Sequence, residues 1–126
     1  MHRYKDFKFW QVSRSFCKDI YLLTSKFPED EKYGLVSQLR RASVSIPSNI
    51  AEGCSRTSNK DFSRFLVIAL GSCYEVETQL LLSYDLGFIS SNDLEKHTEI
   101  LMSIVKMISK FNSTLVQIQP LNYPKI

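Results

Sequence analysis

The chain has 126 residues, 44% of them apolar and 12% aromatic, which predicts one globular domain over residues 1–126 and excludes a disordered chain. Its 16 Lys and Arg residues against 13 carboxylates give a net charge of +3, which permits contact with nucleic acid without requiring it. No apolar run approaches the ~20 residues that cross a bilayer, and three distant cysteines form no CxxC pair, so we expect a cytoplasmic protein without membrane contact.

The first two predicted helices cover residues 5–27 and 31–54. In each, apolar residues recur at steps of three and four, which places them on one helical face. Pro28 should end the first helix because it biases Phe27 away from the α conformation. Pro47 lies inside the second pattern and should kink the helix or break it near residues 43–45, but the apolar register continues on both sides. We therefore predict one helix through Pro47.

The third and fourth predicted helices cover residues 58–86 and 91–117. Ser58 and Ser90 are placed as N-terminal caps, and Gly87 as a left-handed C-terminal cap. The tail, residues 119–126, contains two prolines and should leave the helix. Because the connections are short, neighbouring helices should run antiparallel. The sequence thus predicts an all-α fold, an antiparallel up-and-down four-helix bundle.

Residues for catalysis or metal binding are scarce. His97 lies in the apolar stripe of the fourth helix, where a packed, hydrogen-bonded histidine is the favoured interpretation. The HExxH, GxSxG and phosphate-loop motifs do not occur, and neither does the paired ExxH of a di-iron bundle. We expect no enzymatic activity, no cofactor and no metal.

Several polar residues interrupt or flank the apolar stripes. The favoured interpretation is a structural polar network that fixes register inside the bundle or between subunits. Its predicted members are Asp19, Arg40, Arg41, Asn49, Glu52, Glu75 and Gln79.

Basic residues gather in two parts of the chain. One interpretation is a solvated charged face, and the other is a phosphate-binding surface that binds nucleic acid weakly and without strong sequence preference. The candidate contacts are Arg3, Lys5, Lys8, Arg14, Arg56, Lys60 and Arg64. The third helix is also apolar over more than one stripe, which predicts a homo-oligomer.

The second and third helices carry a family resemblance, in YGLVSQLRRASVSIPSNIAEG (Tyr33–Gly53) and FSRFLVIALGSCYEVETQL (Phe62–Leu80). These segments resemble the four-helix bundle protein family linked to intervening sequences of bacterial 23S ribosomal RNA genes. The family is similar to the accessory variability proteins of diversity-generating retroelements, which are associated with a reverse transcriptase and its RNA. The resemblance implies a homopentameric ring with RNA, or single-stranded nucleic acid, as a partner. The alternative is a structural or adaptor ring that recruits a protein such as a reverse transcriptase.

Overall fold

The computed structural model describes residues 2–117, and every regular element in that range is helical. The four long helices are α1 Lys8–Thr24, α2 Leu35–Cys54, α3 Asn59–Asp85 and α4 Ser91–Gln117. Two short 3-10 turns, Tyr4–Asp6 and Glu29–Glu31, precede α1 and α2. The predicted all-α four-helix bundle is confirmed, whereas the predicted tail at 119–126 lies outside the described residues.

The first two helices are shorter than predicted. α1 starts at Lys8 and not at residue 5, because Phe7 is extended (φ −77°, ψ 127°) and separates it from the first 3-10 turn. It ends at Thr24, three residues before the predicted end. α2 starts at Leu35 and not at residue 31, because Gly34 (φ −106°, ψ −115°) leaves the helical conformation. The periodicity located both helices correctly, but it extended them across these turns.

The second helix runs unbroken through Pro47. Proline has no N–H, so the carbonyl of Ser43, four residues earlier, loses its partner within the helix. The Cys17 thiol of α1 donates a hydrogen bond to this carbonyl, with 3.0 Å between sulfur and oxygen. A side chain of the neighbouring helix therefore replaces the bond that Pro47 removes, and the prediction of one helix through Pro47 is confirmed.

The predicted caps are confirmed. The Ser58 hydroxyl accepts a hydrogen bond from the backbone N–H of Asp61 at 3.1 Å, and Ser90 accepts one from Asp93 at 3.0 Å. Gly87 has a φ of +79°, and the next N–H, that of Phe88, donates to the carbonyl of Ser83 at 2.8 Å. This is the Schellman arrangement, in which glycine avoids the steric cost of a left-handed backbone.

The core is formed by one apolar stripe from each helix, as the periodicity predicts. Large side chains such as Phe16, Leu39, Leu66 and Ile104 are completely buried. The contact between α2 and α3 is especially close at Gly53, where an added Cβ would lie 2.9 Å from a ring carbon of Phe62. This close contact fixes the α2–α3 turn at one end of the bundle, where the candidate site lies.

Candidate nucleic-acid interface

The up-and-down topology brings distant parts of the chain to the same end of the bundle. The start of α1 meets the end of α4, since the Phe7 and Phe111 ring centroids are 4.9 Å apart. Three contacts mark the middle of the bundle. Cys17 of α1 bonds Ser43 of α2, and Ser45 of α2 bonds Ser72 of α3. Ile100 of α4 lines the same cleft as Ser15 and Phe16 of α1. We divide the bundle at this level. The half that contains the α2–α3 turn consists of residues 2–15, 45–71 and 102–117, and the opposite half consists of residues 16–44 and 72–101.

Charge is strongly segregated between these two halves. The first, which we call the basic half, has nine basic residues: Arg3, Lys5, Lys8, Arg14, Arg56, Lys60, Arg64, Lys106 and Lys110. Its carboxylates number three: Asp6, Glu52 and Asp61. The second, which we call the acidic half, has ten carboxylates and six basic residues. The small net charge of the chain therefore conceals a net charge of +6 in one half and −4 in the other, and Lys125, outside the described residues, supplies the remaining +1.

A cluster of aromatic rings supports the basic half from inside. Phe62, at the start of α3, is 2% exposed, and its ring centroid lies 5.6 Å from that of Phe111. Phe7 stacks on Phe9 at 4.8 Å and meets Phe111 edge to face. The His2 ring lies 5.2 Å from that of Phe62. Aromatic rings at these distances add attraction beyond their buried area, so the cluster holds the first residues of the chain against the helices.

Arg56 and Arg64 converge on one aromatic ring. Their guanidinium carbons lie 4.6 Å and 4.5 Å from the centroid of Phe65. Arg64 also bonds the Asp61 carboxylate at 3.1 Å, and Arg56 bonds Glu52 at 2.9 Å. Both ion pairs are partly exposed, so each adds little to the stability of the protein, and another anion can replace the carboxylate. The two predicted contacts are thus fixed in position but partly neutralised.

The basic residues at the start of the chain have different surroundings. Arg3 lies 3.6 Å from the Asp6 carboxylate, and both side chains are exposed. The Lys5 ammonium lies 5.9 Å from the Tyr4 ring, and the Arg14 guanidinium lies 5.7 Å from the Trp10 ring. Lys5 and Arg14 are exposed, and neither has a carboxylate partner among residues 2–117. This part of the basic half therefore keeps more unpaired positive charge than the α2–α3 turn.

The structure adds two lysines that the sequence did not single out. Lys106 and Lys110 are exposed on the last turns of α4, and Lys110 lines the same cleft as Lys8. They lie far from the other clusters in sequence. These two lysines could have been predicted only from the topology, because an antiparallel bundle places the end of the fourth helix beside the start of the first.

Three members of the predicted polar network come together between α2 and α3. Arg41 donates a hydrogen bond to Glu75 at 2.7 Å, and Gln79 approaches the same carboxylate oxygen at 3.5 Å. Asn49 instead bonds the backbone and side-chain oxygens of Ser45, whose hydroxyl lies 2.8 Å from that of Ser72. These contacts form a polar seam along one side of the α2–α3 interface.

The remaining members of the predicted network lie apart from this seam. Arg40 turns to α1, where it donates to the Thr24 hydroxyl at 3.0 Å and lies over the Tyr21 ring at 4.5 Å. Glu52 pairs with Arg56, as described above. Asp19 is half-buried and lines clefts on the α1–α4 side of the bundle. The seven residues therefore belong to separate local contacts.

The histidine and the cysteines within the helices are packed or hydrogen-bonded parts of the bundle. His97 is 6% exposed, and its Nδ1 lies 2.7 Å from the Asp93 carbonyl oxygen. Burial raises the pKa of the Cys73 thiol to about 12 and those of Cys17 and Cys54 to about 11, so all three are neutral thiols near pH 7. Among residues 2–117, no three His, Cys, Asp or Glu side chains are grouped so that they could hold a metal ion.

The third helix also has an exposed apolar stripe opposite its core stripe. It consists of Val67, Gly71, Tyr74, Thr78 and Leu81, which we call the α3 outer face. Val67, Tyr74 and Leu81 are each about half exposed. In the described part of the chain, only α3 is long and apolar enough to cross a membrane, a test that the core helix of a folded bundle also passes.

These features define a class of protein, an all-α four-helix bundle whose positive charge is concentrated in one half. The family model described as 23S rRNA-intervening sequence protein matches residues 5–110, so the chain belongs to that family. The bundle is similar to the crystal structure of a Bacteroides thetaiotaomicron protein of unknown function from the S23 ribosomal protein family. The TM-score is 0.75 at 25% identity, and the match covers 82% of this chain and 97% of the other. The chain has no significant match among curated proteins.

Proposed function

We propose that this chain is a non-enzymatic, oligomeric RNA-binding protein of the bacterial cytoplasm, and that its basic half contacts RNA phosphates. The observation that carries the proposal is the charge segregation, with nine basic residues against three carboxylates in one half of the bundle. Membership of a family associated with 23S ribosomal RNA intervening sequences supports RNA as the nucleic acid. Three free cysteines are compatible with a reducing compartment.

The same charges predict the mode of binding. In the basic half, the basic residues that form ion pairs among residues 2–117 are Arg3, Arg56 and Arg64. Each of these three side chains is exposed or half-exposed. RNA phosphates can compete for such residues, and each phosphate contact releases counterions. Binding should therefore be weak for one subunit, largely independent of sequence and steeply dependent on salt.

Oligomerisation would raise the affinity for RNA above that of a single subunit. The α3 outer face presents Val67, Tyr74 and Leu81 at the spacing of a helix-packing seam, and a contiguous exposed apolar surface favours a protein partner. We propose a second copy of this chain as that partner, in a ring that the family resemblance implies to be a pentamer. A ring repeats the basic half, so one strand that reaches several copies binds with higher avidity.

The experiment for RNA binding is a titration of labelled single-stranded RNA at ~50 mM and ~200 mM salt. The test variant carries Arg56→Ala, Lys60→Ala and Arg64→Ala, and the charge-matched control carries Lys18→Ala, Lys26→Ala and Lys32→Ala in the acidic half. We expect affinity to fall with salt and with the test variant but not with the control. Absence of binding at the lower salt, or binding indifferent to salt and to both variants, would contradict the proposal.

The second candidate is a structural or adaptor ring that recruits a protein such as a reverse transcriptase. The observation that favours it is Tyr33, an aromatic side chain that is 88% exposed before α2 and lies outside the α3 outer face. Light scattering of Tyr74→Glu and Leu81→Glu, with Ser37→Glu on the exposed side of α2 as the control, tests the oligomer. We expect dissociation only in the first two variants. A wild-type protein that is monomeric at micromolar concentration would contradict self-association. The α3 outer face would then be proposed to bind a different protein.

A further inference from the structure

A cavity of about 410 Å³ lies in the basic half, between the first 3-10 turn and the end of α2. Its volume falls within the range of ~300–1,000 Å³ that is usual for small-ligand sites. The cavity is open to solvent on one side. Its lining consists of His2, Arg3, Tyr4, Lys5, Ala51, Cys54 and Ser55.

The lining combines aromatic walls with positive charge. Tyr4 and His2 supply aromatic rings, and Ala51 and Cys54 supply apolar contacts. Among residues 2–117, the lining includes the basic side chains of Arg3 and Lys5 and no carboxylate side chain. Arg3 also lies near Asp6, but that pair is exposed and 3.6 Å long. A ligand that matches this lining has a flat apolar portion and an attached anionic group.

Contacts behind the lining hold the aromatic walls in place. The Tyr4 ring meets Trp10 edge to face, with 5.0 Å between their centroids, and the His2 ring lies against Phe62. These rings belong to the aromatic contacts that fix the start of the chain on the bundle. A cavity with walls already in position loses little freedom when it binds a ligand.

We propose that this cavity takes one unpaired nucleobase of a bound RNA strand, with the adjacent phosphate held by Arg3 and Lys5. The inference rests on the proposed RNA binding and adds a preference for single-stranded RNA over paired RNA. Unpaired bases are available for stacking on aromatic side chains, whereas the bases of an A-form helix are already stacked and paired. Stacking accepts any base, which agrees with binding that lacks strong sequence preference.

A neighbouring cavity of about 400 Å³ provides a comparison within the same half. It lies between the start of α1 and the end of α4, with Lys8, Lys110 and Phe111 in its lining. The Asp6 carboxylate is part of that lining and would repel a phosphate there, whereas it approaches the first cavity only through Arg3, from outside the lining. We therefore assign the base to the first cavity and use the second as a control.

The experiment compares a labelled single-stranded oligouridylate with an abasic strand that has the same number of phosphates. We expect the wild-type protein to bind the base-bearing strand about tenfold more tightly, because base stacking adds to the phosphate contacts. Ala51→Phe fills the cavity without changing charge. Tyr4→Leu removes an aromatic wall and keeps an apolar side chain where the half-buried Tyr4 packs against the edge of the core. Both should abolish the preference while they retain affinity for the abasic strand, because neither variant changes Arg3 or Lys5. Thr114→Phe, in the lining of the neighbouring cavity, should retain the preference.

Each outcome decides between the two proposals. Equal binding of both strands by the wild type, or an unchanged preference in Tyr4→Leu, would overturn the base site and leave phosphate binding intact. Loss of the preference in Thr114→Phe to the same extent as in Ala51→Phe would also overturn it. If neither strand binds, the proposed RNA binding fails together with the base site.

Discussion

The two halves of the bundle share one architecture and differ in the chemistry of their surfaces. In the basic half, positive charge surrounds an aromatic cluster that includes Phe7, Phe62 and Phe111. In the acidic half, carboxylates outnumber basic residues, and the aromatic contact at the helix turns is the single pair Phe27 and Phe88, 5.5 Å apart. Every helix crosses both halves, so the difference does not arise from separate segments. It shows that an up-and-down topology can separate charges that look evenly mixed along the chain.

The largest expected effect concerns the aromatic cluster. Phe62→Ala should destabilise the protein by about 3–5 kcal/mol, because it removes a buried ring and leaves a cavity among its neighbours. Phe88→Ala, at the half-buried α3–α4 turn, should cost clearly less. Urea unfolding at one fixed protein concentration measures both variants. Equal losses would contradict the view that the aromatic cluster supports the basic half in particular.

Charge reversal should have the next largest effect, on RNA affinity. Lys8→Glu with Arg14→Glu should weaken binding at ~50 mM salt by about a hundredfold, because two phosphate contacts become repulsive. Lys26→Glu with Lys32→Glu makes the same change in net charge within the acidic half. Fluorescence anisotropy of labelled RNA measures both. A similar loss in the two double variants would mean that net charge alone, and not its location, controls binding.

The smallest expected effect comes from removing a carboxylate. Asp61 pairs with Arg64 at 3.1 Å and lies 3.8 Å from Arg56, so it competes with RNA for both guanidinium groups. Asp61→Asn should raise RNA affinity by about threefold at low salt and lose that advantage as salt rises. Asp85→Asn, exposed at the end of α3, is the control and should leave affinity unchanged. An unchanged affinity in Asp61→Asn would place RNA away from the α2–α3 turn.

Local signals in the sequence predicted most of the fold. Ser58, Ser90 and Gly87 act within a few residues of the helix ends that they define, so their roles could be read directly. The predicted positions of both ends of α1 and of the start of α2 were wrong by three or four residues. There the 3-10 turns continue the helical spacing, and only the backbone of Phe7 and Gly34 shows where the α-helices begin.

The candidate site was predictable only in part. The residues at 3–14 and 56–64 stood out because they are close together in sequence, and the structure brings both groups into the basic half. Lys106 and Lys110 did not stand out, because they join these groups only through the topology. The cavity beside Tyr4 depends on how the chain folds back onto the end of α2, a contact between residues about fifty positions apart. No local pattern records such a contact, so it could not be predicted from the sequence.

Crosslinking with RNA that contains 4-thiouridine shows whether RNA binds the basic half, because mass spectrometry of the crosslinked peptides locates the RNA on the protein. We expect crosslinks within residues 2–15, 45–71 and 102–117, the three segments of the basic half, and among them crosslinks to the lining of the cavity beside Tyr4. Crosslinks spread evenly over the bundle, or concentrated within residues 16–44 and 72–101, would contradict RNA binding by the basic half.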